Sequence, residues 1–306
     1  MIKGVTIMRK GILLAVMILL AACNDPKVED VATSTTPIQS DVESDTSVNT
    51  EDGADAQQEE TQSLPIEDVV DWNDEDAALQ VIEMLNDWES YKTSGTISQL
   101  DHYYDGSEEQ IIDFSISYIK NPQQLHSMET SSMATYYEQY ASEEAGIVSS
   151  VVQGTWWWDE YSEEMVHNPL ESLIEQFKAV YNNATQKNVV SQSDFYYTYS
   201  MYVEPTNGVT QQQIDDIIKA FGLMPDDEPY VKELKEVYLM LDTTEGNLTN
   251  YVLRIDFVNV LDDETYIQTN GYFDDVNSVV EIHIPQELIE EGKANNEYYE
   301  ETGYGD

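Results

Sequence analysis

The sequence predicts an α+β fold in which one strongly twisted antiparallel sheet carries a few helices on one face. Short alternating segments separated by turn signals run from Thr93 to Ile284. Three amphipathic helix patterns are set among them, in the order helix, strands, helix, strand, helix, strands. Strands joined by short turns are antiparallel neighbours, and a sheet with one apolar face buries it under a second layer.

The first helix has Asn73 as a candidate cap and Asp74, Glu75 and Asp76 in its first turn, where the helix dipole favours acids. Ala78, Val81, Ile82, Leu85 and Trp88 recur at helical spacing. A strand over Thr93–Tyr104 stops at the hairpin signal Asp105-Gly106. Ile112, Phe114, Ile116 and Tyr118 alternate with Asp113, Ser115 and Ser117 up to Asn121-Pro122, as a half-buried strand does. Leu125–Glu129, Met133–Tyr140 and Ile147–Trp158 read as further strands.

Asn168-Pro169 starts a second helix, a cap followed by proline at its first position. Leu170, Leu173, Ile174, Phe177 and Val180 form its apolar face. A long strand places Phe195, Tyr197, Tyr199, Met201 and Val203 on one side. Thr210–Phe221 is a third helix with a capping box of Thr210 and Gln213, a Val209–Ile214 staple, and Gly222 as its stop. Strands then occupy Lys235–Asp242, Leu248–Leu261, Thr265–Phe273 and Ser278–Ile284. Ile284-Pro285 closes the sheet, with a short helix from Gln286.

Ahead of this domain, Lys3, Arg9 and Lys10 precede an apolar stretch, Gly11–Leu20, and Leu20-Ala21-Ala22-Cys23 follows. A positive region, an apolar region of about 7–15 residues and small residues at a cleavage point make a signal peptide. The apolar run is shorter than the roughly 20 residues a membrane-spanning helix needs. Cys23 is the one cysteine in the chain, which excludes an internal disulfide. The Leu-Ala-Ala-Cys string resembles the bacterial lipobox. That resemblance implies cleavage before Cys23 and a diacylglyceryl group on its sulfur, and two acyl chains suffice for stable anchoring. The expected parts are therefore a signal peptide over 1–22, a disordered acidic linker over 23–65, the folded domain over 66–292 and an acidic, frayed tail over 293–306. A flexible linker of about 40 residues averages roughly 35 Å end to end, enough to lift the domain off a bilayer.

The chain holds 60 acidic residues against 13 basic, a net charge of −47. That excludes nucleic-acid binding, which needs basic patches. It also gains nothing from anionic lipid heads, so membrane contact falls to the lipid on Cys23. Self-repulsion at this charge calls for screening by loosely bound cations.

Taken with its landmarks, the order of elements resembles the LolA/LppX-like fold of bacterial lipoproteins, especially Gram-positive ones of unknown function. The landmarks are Trp88–Gly95, Lys120-Asn121-Pro122, Thr155-Trp156-Trp157-Trp158 and Val280–Leu288. The resemblance covers about Glu75 to Glu290. It implies a half-open β-barrel with helices on its concave side, around an apolar cavity that takes lipids or acylated molecules. The very acidic composition and the Tyr-rich stretch Tyr136–Tyr140 depart from that pattern.

No catalytic or metal-binding string accompanies the fold. Carboxylate pairs suited to glycoside hydrolysis are unavoidable among so many acids. His102, His126, His167 and His283 are scattered without ligand spacing. No nucleophile elbow supports Ser/His/Asp chemistry. Asp262-Asp263-Glu264 is oxygen-rich, as calcium prefers, but lacks a calcium-loop pattern. Trp156 and Trp158 share one face of a strand and Trp157 the other. The expectation is a non-enzymatic, extracytoplasmic membrane lipoprotein without cofactor or metal. It would bind a hydrophobic or lipidic ligand, with Trp156, Trp158, Tyr197 and Tyr199 lining the cavity. An envelope interaction or sensor module, and a carbohydrate-binding surface built on Trp156–Trp158, are the alternatives.

Overall fold

The computed structural model describes residues 71–103, 106–131, 136–162, 166–224 and 230–302, with the backbone alone at 101–103 and 300–302. The signal peptide, Cys23, the linker, the expected domain start at Ile66 and the last four residues lie outside the described residues.

One antiparallel sheet of eleven strands forms the domain, in the order β6-β5-β4-β3-β2-β1-β11-β10-β9-β8-β7. The first half is a meander of β1 (Ser90–Tyr103), β2 (Gly106–Ile119), β3 (Gln124–Ser131), β4 (Tyr136–Ser142), β5 (Gly146–Val152) and β6 (Thr155–Asp159). The second half comprises β7 (Gln186–Ser193), β8 (Tyr196–Val203), β9 (Val231–Thr244), β10 (Asn247–Asn259) and β11 (Glu264–Asp274). β11 pairs with β1 and joins the halves, and the edge strands β6 and β7 do not meet. The sheet is thus open, as expected of a curved α+β half-barrel.

Among the described residues the α-helices are α1 (Ala77–Met84), α2 (Pro169–Asn183), α3 (Gln211–Ala220) and α4 (Gln286–Thr302). None is long and apolar enough to cross a membrane. α2 follows β6 and precedes β7, so it carries the chain from one edge of the sheet to the other. Asn168 caps it, its Oδ1 accepting from Leu170 N (3.1 Å) and from Tyr91 OH (3.0 Å). Its buried face, Leu170, Leu173, Ile174, Phe177 and Val180, packs with Val237, Leu239, Leu241, Leu253 and Ile255 of β9 and β10. Burying each such side chain contributes about 1.5–3 kcal/mol. α3 shows the full capping box, and Gly222 ends it in the left-handed region (φ 69°).

Several boundaries differ from the sequence reading. α1 begins at Ala77 instead of after Asn73, because the Asp71 and Asp74 carboxylates take the amides of Asn73 and Asp76 into turns. Ile147–Trp158 is a hairpin of two strands, with Gly154 at its turn (φ 85°). β7 is an additional strand, polar enough to read as loop. The stretch Ser278–Ile284 is not a strand: Ser90 and Gln124 side chains take the amides of Val279 and Ile282 instead.

The expected frayed tail from Lys293 is helical through Thr302, a continuation of α4. α4 is longer than the short helix expected from Gln286, and it does not share the face of α1–α3. Ile289 and Leu288 pack onto Val148, Trp156 and Trp158 on the side of the sheet away from α1–α3. Asn295 Nδ2 donates to Trp156 O (2.9 Å), and Asn296 Nδ2 donates to Trp158 O. These carbonyls belong to an edge strand, and an uncovered edge invites aggregation. α4 covers it, and Gly292 permits the approach: a Cβ there would lie 2.9 Å from Trp157 C.

Candidate functional site

Strand register sorts the residues of β1–β4 into two faces. The inner face, shared with α1 and α2, carries Tyr91, Thr93, Gly95, Ile97 and Gln99 on β1 and Gln110, Ile112, Phe114, Ile116 and Tyr118 on β2. Leu125, Ser127 and Glu129 on β3 and Tyr137, Gln139 and Ala141 on β4 continue it.

At the Tyr91–Tyr118–Leu125 end this face belongs to the main core beneath the helices. Further along the strands the character changes. Ile97, Ile112 and Phe114 form a second apolar cluster, and the partly buried Ile116 and Ile267 touch both clusters. Polar side chains are buried beside it. Ser127 is 0% exposed, Gln110 5%, Thr93 6% and Glu129 7%. Thr93 Oγ1, Gln110 Oε1 and Ser127 Oγ have no hydrogen-bond partner. Such atoms cost about 1–3 kcal/mol each when left unmet. The other half of the sheet differs: its buried Thr243 donates to Tyr197 O, and Asn259 Oδ1 accepts from the amides of Leu261 and Asp263.

Burial pushes the Glu129 carboxyl up to about 7. Tyr137, its cross-strand neighbour, is raised too, first by burial and then by Glu129, and its hydroxyl donates to Gln139 Oε1 (3.0 Å). This stretch of the inner face therefore combines apolar surface with hydrogen-bonding groups that the protein leaves unsatisfied. Its neighbours on the strands carry the basic groups elsewhere: Lys92 pairs with Asp275 (2.5 Å), and His126 lies on the outer face.

The Tyr-rich stretch divides by the same parity. Tyr137 and Gln139 face inward; Tyr136, Glu138 and Tyr140 face outward with His126. There Glu138 accepts from Tyr136 OH, Tyr140 OH (2.9 Å) and His126 Nε2 (3.0 Å). Burial alone would raise its carboxyl, but these hydrogen bonds and the His126 charge outweigh burial and hold it low. The His126 and Tyr140 rings stack at 4.1 Å. This cluster ties β3 to β4 on the outer face.

The four aromatic residues singled out in the sequence do not come together. Trp156 is buried and Trp158 half-buried on the outer side against α4, and Trp158 Nε1 donates to Ala145 O (2.9 Å). The rings so covered are not the open sugar-stacking platform of the carbohydrate alternative. Tyr197 and Tyr199 lie on the inner face but within the main core, with hydroxyls donating to Asp194 O (3.2 Å) and Trp72 O (2.8 Å). Nothing in the sequence alone singles out Thr93, Gln110, Ser127 and Glu129 as a site. The available signal was phase: Leu125, Ser127 and Glu129 alternate together, so one apolar residue places all three on a single face. Among the described residues no group of three or more His, Cys, Asp or Glu side chains is gathered as a metal site. Asp262, of the oxygen-rich loop, pairs with Lys232.

In structure the chain is similar to a lipoprotein and to LolA-superfamily proteins. The Mycobacterium tuberculosis lipoprotein LppX matches over 68% of this chain and 97% of its own, at 9% identity and a TM-score of 0.38. A LolA superfamily protein from Nitrosomonas europaea matches over 69% and 96%, at 8% identity and a TM-score of 0.23. A DUF1329 family protein from Desulfovibrio piger matches over 68% and 93%, at 7% identity and a TM-score of 0.23. No family model and no curated protein matches the sequence.

Proposed function

We propose that this protein is a non-enzymatic lipoprotein, held to the extracytoplasmic face of a membrane through a lipid on Cys23, whose half-barrel binds a hydrophobic or lipidic ligand. The observation that carries the binding reading is the inner face of β1–β4. It holds an apolar cluster distinct from the main core, flanked by buried polar atoms without partners. Apolar surface shed from water contributes about 25 cal/mol per Å², and ligand sites are largely apolar with a few placed polar groups. The anchoring reading rests on the signal-like start and the Leu-Ala-Ala-Cys string.

The test is native mass spectrometry of the full chain carrying Cys23→Ser, so that no attached acyl group competes. Mass added by co-purified or supplied acyl lipid, one molecule per chain, is the expected result. A chain that stays empty in the presence of lipid overturns the reading and leaves an envelope interaction module in its place.

A further inference from the structure

The unpartnered polar atoms also bear on the chemistry of the ligand. Thr93, Ile116, Ser127 and Gln139 lie opposite one another across β1–β4, and Phe114, Glu129 and Tyr137 form the next row. Strands lie about 4.8 Å apart, so Thr93 and Ser127 are roughly 10 Å from each other across Ile116. Glu129 is two residues along β3 from Ser127. Ile112 and Ile97 come next along the face, then Gln110 opposite Gln99, and the exposed Glu108 lies beyond. The face thus reads as a polar end, an apolar middle and a second polar end, of which Gln110 is the buried member.

The charges that could meet a head group here are few. Among the described residues, the buried inner positions of β1–β4 include no Lys, Arg or His, and Glu129 is their one acid; Glu108, on the same side of β2, is exposed at the far end of the face. A phosphate-headed lipid would bring a buried anion beside a carboxyl with no cation to pair it, which is costly. A cationic head would need Glu129 ionised, whereas burial favours its neutral form. Hydroxyl, ester and amide groups suit the site. The Ser127 and Thr93 hydroxyls both donate and accept, and Gln110 Oε1 accepts.

We infer that the inner face of β1–β4 is a head-group site for an uncharged amphiphile, with Thr93 and Ser127 hydrogen-bonding its hydroxyl, ester or amide groups and Ile97, Ile112 and Phe114 covering the start of its apolar chain. This rests on the lipid-binding reading above and narrows it to one ligand class.

The experiment compares three probes with the same sixteen-carbon chain on the full Cys23→Ser chain: monopalmitoylglycerol, palmitoyl lysophosphatidylglycerol and palmitoylcholine. Binding is followed by calorimetric titration. Monopalmitoylglycerol binds at least tenfold more tightly than either charged probe. Ser127→Ala and Thr93→Val each weaken its binding about three- to tenfold. Neither variant lowers the thermal midpoint, because each removes a buried hydroxyl that the protein itself does not satisfy. Equal affinity for all three probes, tighter binding of a charged one, or no effect of either substitution overturns the inference while leaving lipid binding intact. Failure of every probe to bind overturns the broader reading instead.

Discussion

Glu129→Gln should make the protein's stability less dependent on pH, in a direction and by an amount that the structure sets. The Glu129 carboxyl is 7% exposed, and burial pushes it from 4.5 up to about 7. The folded state therefore holds this proton more tightly than the unfolded chain. Between pH 4.5 and 7 the unfolded chain ionises at Glu129 while the folded protein resists, so stability falls as pH rises through that window. At about 1.4 kcal/mol per tenfold change in proton affinity, the full loss is about 3 kcal/mol above pH 7. That is a large part of the 5–15 kcal/mol that ordinarily holds a domain folded. Glutamine keeps the shape and cannot ionise. Urea unfolding of both proteins at pH 4.5, 6 and 8 tests this. The advantage of Glu129→Gln over the native protein should grow from its value at pH 4.5 by about 3 kcal/mol at pH 8. Glu138 is held low, so its contribution is present above its ordinary range and lost on acidification. It titrates in both proteins and cancels in the difference. A gap that stays constant across the series refutes the burial argument for Glu129.

Other consequences follow from single contacts. Cys23→Ala should move the protein from the membrane to the soluble fraction with an unchanged circular dichroism spectrum; retention on the membrane would refute the lipid anchor. Asn168→Ala removes the α2 cap and the acceptor for Tyr91 OH, and should cost about 1–3 kcal/mol in urea unfolding. Gly292→Val forces a side chain into the Trp157 backbone. It should loosen α4, seen as faster limited proteolysis after Pro285 and a red-shifted tryptophan emission, with the main core intact.

The fold was legible where local chemistry and burial agree. α2 and α3 start where Asn168 and Thr210 say they should, because each side chain satisfies an amide that the helix leaves open. The strands with alternating apolar residues appear in place. Legibility failed where tertiary contact decides. β7, with Lys187, Asn188 and Gln192, reads as loop and becomes a strand by pairing with β8. Ser278–Ile284 alternates like a strand, yet finds its hydrogen bonds on Ser90 and Gln124 side chains. The aromatic residues that stand out in the sequence serve packing in the structure. Large rings are what a core and an edge-covering helix need most, so Tyr199 fills the core and Trp156 supports α4. The site candidates were small or ordinary polar residues whose significance depends on what lies opposite them, and one sequence does not contain that.

The two halves of the sheet can differ because α2 crosses between their outer edges. Its face carries Phe177 and Val180 onto β9 and β10, where Val237, Leu239, Leu241 and Ile255 are each 0% exposed. Cores packed in this way lose about 2–5 kcal/mol when one large side chain is cut to alanine, so this half can hold the fold together. Three unmet polar atoms at about 1–3 kcal/mol each would tax a small protein heavily, and evenly spread over the core they would loosen it everywhere. Here all three sit on β1, β2 and β3, while the buried Thr243 and Asn259 of the other half are satisfied internally. A ligand that met those atoms would recover the cost on binding. Its binding should therefore stabilise β1–β4 against hydrogen exchange more than β8–β10, which are already fully packed without it.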